Sequence, residues 1–145
     1  MSADALRAQV LAANRRFYDA FEALDLDAME AVWETGPRAA CVHPGGPWLR
    51  GWDEVRESWE TIFANTGYIE FEIAEARVEL ADPVAWVSCT ERITTSAGGS
   101  ASAAEVAATN VFVVDATGWH LVVHHGSPVV RPAPVDPAGR GDAEG

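Results

Sequence analysis

From Gly67 to Pro128 the chain is almost entirely strand-like runs divided by brief turns. Residues 68–80, 84–95, 102–115 and 119–127 are the runs, and Ala81-Asp82-Pro83, Ser96–Ser100 and Asp115–Gly118 divide them. Connections this short join only strands that are neighbours and run in opposite directions. The second half is therefore a long antiparallel sheet, and one of its faces needs a cover. Within 68–80 the apolar phase flips, from Ile69, Phe71 and Ile73 to Ala76, Val78 and Leu80. A phase flip inside one strand predicts a bulge, and bulges bend sheets.

The cover comes from the first half. Leu6, Val10, Phe17, Phe21 and Leu24 recur at helical spacing, which predicts a helix over 4–24. Asp27, with Glu30 three residues on, reads as the N-cap and capping-box partner of a short second helix ending near Trp33. Residues 38–43 read as a short strand, and His43-Pro44-Gly45-Gly46-Pro47 as a turn. A third helix is expected from Asp53 to Ala64, with Val55, Trp59, Ile62 and Phe63 on its buried face. The expected order is ααβαββββ: an α+β fold with helices on one face of a strongly curved sheet, making a cone with an apolar interior. Residues 1–128 form the single domain, and the Pro- and Gly-rich stretch 129–145 is expected to be a mobile tail.

With 22 acidic against 10 basic residues the net charge is −12. That argues against nucleic acid and against an anionic membrane surface as partners. No apolar run is long enough to span a membrane, and no signal peptide is visible, so a cytoplasmic location is expected. Cys41 and Cys89 form no disulfide framework, and no glycine-rich phosphate loop points to an organic cofactor.

Three histidines attract attention because they stand at strand ends. His124 and His125 are adjacent, so one faces the interior and the other does not. His43 ends the first strand, sharing a face with Cys41. It reads either as a turn histidine bonded to local backbone or as a pocket group with an ordinary pKa near ~6.5, suited to proton transfer. Asn110 lies inside an apolar run and needs a partner, which core or ligand could supply. Cys41, His43 and His125 lack any recognised ligand spacing, so no metal is expected.

The element order resembles that of the nuclear transport factor two-like superfamily, the cystatin-like α+β barrel that includes ketosteroid isomerase and SnoaL-like polyketide cyclases. The residues carrying the resemblance are Phe17-Tyr18-Asp19-Ala20-Phe21 before Asp25-Leu26-Asp27, the strand ending at His43-Pro44, and Gly51-Trp52-Asp53-Glu54-Val55 opening the third helix. Aligned on that order, the isomerase's oxyanion tyrosine falls at Phe17, its base aspartate at His43 and its protonated aspartate at Asn110. None is retained, so literal ketosteroid isomerase activity is not expected. The resemblance instead implies acid–base chemistry on a small hydrophobic molecule, of isomerase, dehydratase or cyclase type. His43 and His125 would exchange protons and Asn110 would donate to an oxyanion.

The same alignment turns His125, Val123 and Leu121 inward. It gives a substrate lining of Phe17, Phe21, Trp52, Trp86, Ser88, Thr90, Phe112 and Val123. His120, Val122 and His124 would face outward, where members of the superfamily commonly dimerise, with Val111 and Val113 adding apolar surface. By the same resemblance, Glu22 falls near the position of a carboxylate used by some dehydratases of this fold. The alternative function is non-catalytic: a small-ligand-binding or dimeric association module.

Overall fold

A computed structural model describes residues 1–131, the side chain of Ala97 excepted. Helix α1 spans Ala3–Ala23, α2 Leu26–Val32 and α3 Trp52–Ala64. The strands are β1 (Ala40–Val42), β2 (Leu49–Arg50), β3 (Tyr68–Ala81), β4 (Val84–Ala97), β5 (Ser100–Asp115) and β6 (Gly118–Pro128). One sheet holds them all in the order β2-β1-β6-β5-β4-β3. Every pairing is antiparallel except β1 with β6. The sheet curves but does not close, leaving β2 and β3 as its edges. The short β2, which pairs only with β1, is the element that the hydrophobic pattern does not reveal.

Local chemistry sets the helix ends. The Ser2 hydroxyl accepts from the Ala5 N–H, and α1 closes at Leu24 in the left-handed region, φ 52°. The cap of α2 is Asp25, whose Oδ1 accepts from the Ala28 N–H at 3.0 Å. Asp27 sits instead in the first turn, where a carboxylate favours the helix dipole.

Two bulges decide which residues face the cone. In β3 the register slips between Ala74 and Arg77, and Glu75 takes φ 57° there. This is the bend the phase flip predicted. The second bulge lies in β6. Val111 pairs with Val123 but Phe112 pairs with Leu121, so Val122 is an extra residue. It inverts the alternation, and inward positions run Trp119, Leu121, then His124 and Gly126.

The interior is packed with aromatic rings. Phe17, Trp59 and Phe112 are fully buried. Phe17 meets Trp59 edge-on at 5.6 Å, and Phe21 meets Trp59 at 4.8 Å and Phe71 at 4.6 Å. Burying each such ring contributes ~2–3 kcal/mol. Val129 and Arg131, at the start of the expected tail, are tied to Glu105 by a backbone hydrogen bond and an ion pair. The rest of the expected tail, residues 132–145, lies outside the described residues.

Candidate functional site

A chain of polar groups crosses this aromatic interior. Asn14 and Tyr18 stand one turn apart on the buried face of α1. Glu91 is on the inward face of β4, Asn110 of β5 and His124 of β6. Asn110 and His124 are direct register partners, and Cys41 of β1 pairs with His124 on the other side.

The hydrogen bonds run one way. His124 Nδ1–H donates to Asn110 Oδ1 at 2.6 Å, because the Asn110 amide NH2 is already committed. That NH2 donates to Asn14 Oδ1 at 2.8 Å and to the Tyr18 hydroxyl at 3.1 Å. The Tyr18 hydroxyl in turn donates to Glu91 Oε2 at 2.5 Å. Asn110 is a fixed dipole in this chain, not a proton carrier, so it orients Tyr18 without linking the titration of His124 to that of Glu91.

Burial sets the charge states. Glu91 is 2% exposed, and desolvation pushes its carboxyl up to about 7, the Tyr18 hydrogen bond offsetting part of the effect. Desolvation, then the charge of Glu91, keeps Tyr18 a neutral phenol. His124 is pushed down to about 3 by burial and then by the neighbouring histidines, so it is uncharged at neutral pH. Cys41 and Cys89 are buried and unbridged, with thiols raised by desolvation. They are protonated and poor nucleophiles at neutral pH.

Asn14 and Tyr18 are themselves buried, 4% and 3% exposed, yet they border the surface. They line a groove of about 550 Å³ between α1 and β3, with Leu11, Arg15, Arg16 and Ile73. The β3 bulge forms its far wall, since Ala76 lines it too.

His43 belongs to a separate hollow of about 490 Å³, shared with Leu49, Glu57, Ser58 and Ile62. Its Nε2 lies 2.9 Å from Ser58 Oγ. The Ser58 proton goes to the Val55 carbonyl, so His43 carries its own proton on Nε2. Burial pushes its pKa down to about 4, well below the ordinary value and away from neutrality. Its ring meets Trp59 edge-on at 4.8 Å.

The expected site residues therefore divide. Asn110, Phe17, Phe21 and Phe112 face the interior. His125 does not: it is exposed and packs on Trp48 outside the cone, while His124 takes the interior position. Val123 is turned outward with it, and the extra residue at Val122 is the reason for both.

On β4 the inward set is Ala85, Val87, Cys89 and Glu91, so Trp86, Ser88 and Thr90 lie on the outer face. Trp52 packs on Trp33 and donates to Glu30 Oε1, pinning α3 to α2 instead of lining the cone. Glu22 is exposed and accepts from the Phe71 N–H at 2.8 Å. With His125 outside, Cys41, His43 and His125 do not converge, and no group of three potential metal-ligating His, Cys, Asp or Glu side chains gathers among the described residues.

Reasoning from sequence missed Asn14, Tyr18, Glu91 and the inward turn of His124. The signal for the first two was present: two polar residues four apart on the face carrying Val10, Phe17 and Phe21.

The chain belongs to the SnoaL-like domain family, whose model matches residues 10–131. Its fold is that of the nuclear transport factor two-like superfamily, of cystatin-like α+β class. A candidate dehydratase of that superfamily from Streptomyces avermitilis is 35% identical with TM-score 0.86, over 90% of this chain and 100% of that one. A candidate association domain of a calcium/calmodulin-dependent protein kinase type II from Thiobacillus denitrificans is 33% identical with TM-score 0.74, over 82% of this chain and 94% of that one. The F-box protein SKIP8 of Arabidopsis thaliana is 26% identical over 118 residues, 81% of this chain. The chain spans only 48% of that protein. No helix among the described residues is long and apolar enough to cross a membrane.

Proposed function

We propose that this domain performs acid–base chemistry, of isomerase, dehydratase or cyclase type, on a small hydrophobic molecule entering between α1 and β3. One observation carries the reading. Glu91 is a buried carboxyl that titrates near neutrality, hydrogen-bonded to a tyrosine that also lines an outward groove. A carboxyl poised near 7 both gives and takes protons at physiological pH. A neutral tyrosine beside it, oriented by Asn110, is suited to donate to a developing oxyanion. Glu91 is then the acid–base group, Tyr18 the oxyanion donor when its hydroxyl turns from Glu91 to the substrate, Asn110 the residue that orients Tyr18, and His124 the positioning residue that fixes the Asn110 amide. His43 lines the separate hollow beside α3, and its lowered pKa makes it the weaker base. Likeness to a candidate dehydratase is consistent with this reading.

The test is deuterium exchange into carbon acids. A panel of cyclic enones and β-hydroxy carbonyl compounds is incubated with the protein in deuterated buffer and read by proton NMR. Exchange that is lost in Glu91→Gln and reduced in Tyr18→Phe supports the reading. Absence of exchange across the panel counts against it.

A second reading rests on the outer face. Trp86, Val111, Val123 and Ala40 are register partners, so they form an apolar row across four strands. Trp86 is 39% exposed within it. This row suits a homodimer, in keeping with the likeness to a kinase association domain. Light scattering on the native chain and on Trp86→Glu separates monomer from dimer.

A further inference from the structure

We propose that the groove between α1 and β3 takes a small amphipathic anion, a carboxylate on a short hydrocarbon body, with the charge on Arg15 and Arg16. The proposal rests on the reading that substrate enters here, and adds the chemical class of what enters.

The arginines of this chain are mostly committed. Arg7, Arg38, Arg56, Arg92 and Arg131 pair with carboxylates, and Arg50 lies over the Trp48 ring at 4.9 Å. Among the described residues, Arg15, Arg16 and Arg77 have neither a carboxylate within 4 Å nor an aromatic ring under the guanidinium. In a chain with 22 acidic residues this is a scarce state for a guanidinium. Two of the three, Arg15 and Arg16, are exposed and border this groove, Arg16 from its rim, where it also meets a second hollow that holds Asp19. Asp19, one turn further along α1, pairs with neither.

The rest of the wall complements a mixed ligand. Leu11 and Ile73 offer apolar surface, and Asn14 and Tyr18 make the polar floor leading to Glu91. About 550 Å³ lies within the range that holds small metabolites. A carboxylate at the mouth and an apolar body pointing inward bring the ligand's far end toward Tyr18. An anion with its charge on the arginines also stays clear of the ionisable carboxyl below.

Hexanoate and hexanamide are suitable probes, because they share a hydrocarbon body and differ in charge. Each is titrated into the full chain, followed by backbone amide NMR, and the titrations are repeated in Arg15→Gln/Arg16→Gln. The expected result is hexanoate shifting amides of residues 11–18 and 73–76, with affinity roughly tenfold above hexanamide and a preference lost in the double variant. Added salt should weaken hexanoate alone.

Equal affinities, unchanged by the double substitution, would overturn the anion proposal and leave the acid–base site standing. If neither probe shifts these amides, the anion proposal and the entry route fall together. If a polyglutamate peptide shifts them and hexanoate does not, the groove serves a protein partner and the proposal is wrong.

Discussion

Replacing Glu91 by glutamine should change the pH dependence of stability more than stability itself. The buried carboxyl has its pKa raised from 4.5 to about 7, first by desolvation. A raised acid favours the protonated form in the fold, so the native state holds a proton that the unfolded chain has released. Stability therefore falls as pH rises from about 4.5, and the loss is complete above about 7. At ~1.36 kcal/mol per pH unit of that gap, the full loss is about 3 kcal/mol.

His43 and His124 act in the opposite sense. Their pKa values are lowered to about 4 and about 3, so both lose stability as pH falls below their ordinary value of 6.5. They are present in both proteins and cancel in the difference. Glutamine keeps an oxygen for the Tyr18 hydroxyl but cannot ionise. Urea unfolding at a series of pH values should show Glu91→Gln gaining on the native protein by roughly 2.5 kcal/mol between about pH 5 and pH 8. Two profiles separated by a constant offset would refute a raised carboxyl at this position and remove the basis for calling it an acid–base group.

Two further predictions concern the bulges. His124→Ala should cost about 2–3 kcal/mol in chemical denaturation, because it leaves a cavity and an unpaired Asn110 oxygen, while His125→Ala should stay within ~0.5 kcal/mol; comparable losses would mean that the β6 bulge is misassigned. Glu75→Gly should raise the unfolding midpoint, since a left-handed residue other than glycine costs roughly 1 kcal/mol; a drop would show that the Glu75 side chain stabilises the bend.

The architecture was readable because it depends on patterns longer than one residue. The alternation of Ile69, Phe71 and Ile73 and its inversion at Ala76 carried the β3 bend, and the spacing of Val10, Phe17 and Phe21 carried α1. The site was harder because it depends on single-residue parity. On β4 the bulky Trp86 attracts an inward assignment, yet the interior is already filled by Phe17, Trp59 and Phe112, and the small Ala85, Val87 and Cys89 fit beneath α1. On β6 no glycine or proline marks the extra residue among Leu121, Val122 and Val123, all equally apolar. One unmarked insertion exchanged His125 for His124. Tyr18 was overlooked because its neighbour Phe17 took the aligned position; the helix turns both into the core, 100° apart.

The open edge at β3 has a consequence for how this protein behaves at high concentration. Fourteen residues of strand, paired with β4 on one side only, offer a template on which another chain could zip. The exposed side chains along it include Glu70, Glu72, Glu75 and Glu79. Glu22 takes up the Phe71 N–H from across the edge, and the bulge at Glu75 breaks the straight run in two. The acidity of this edge thus also guards the sheet against itself, and neutralising these glutamates should bring fibrous aggregation before it brings unfolding.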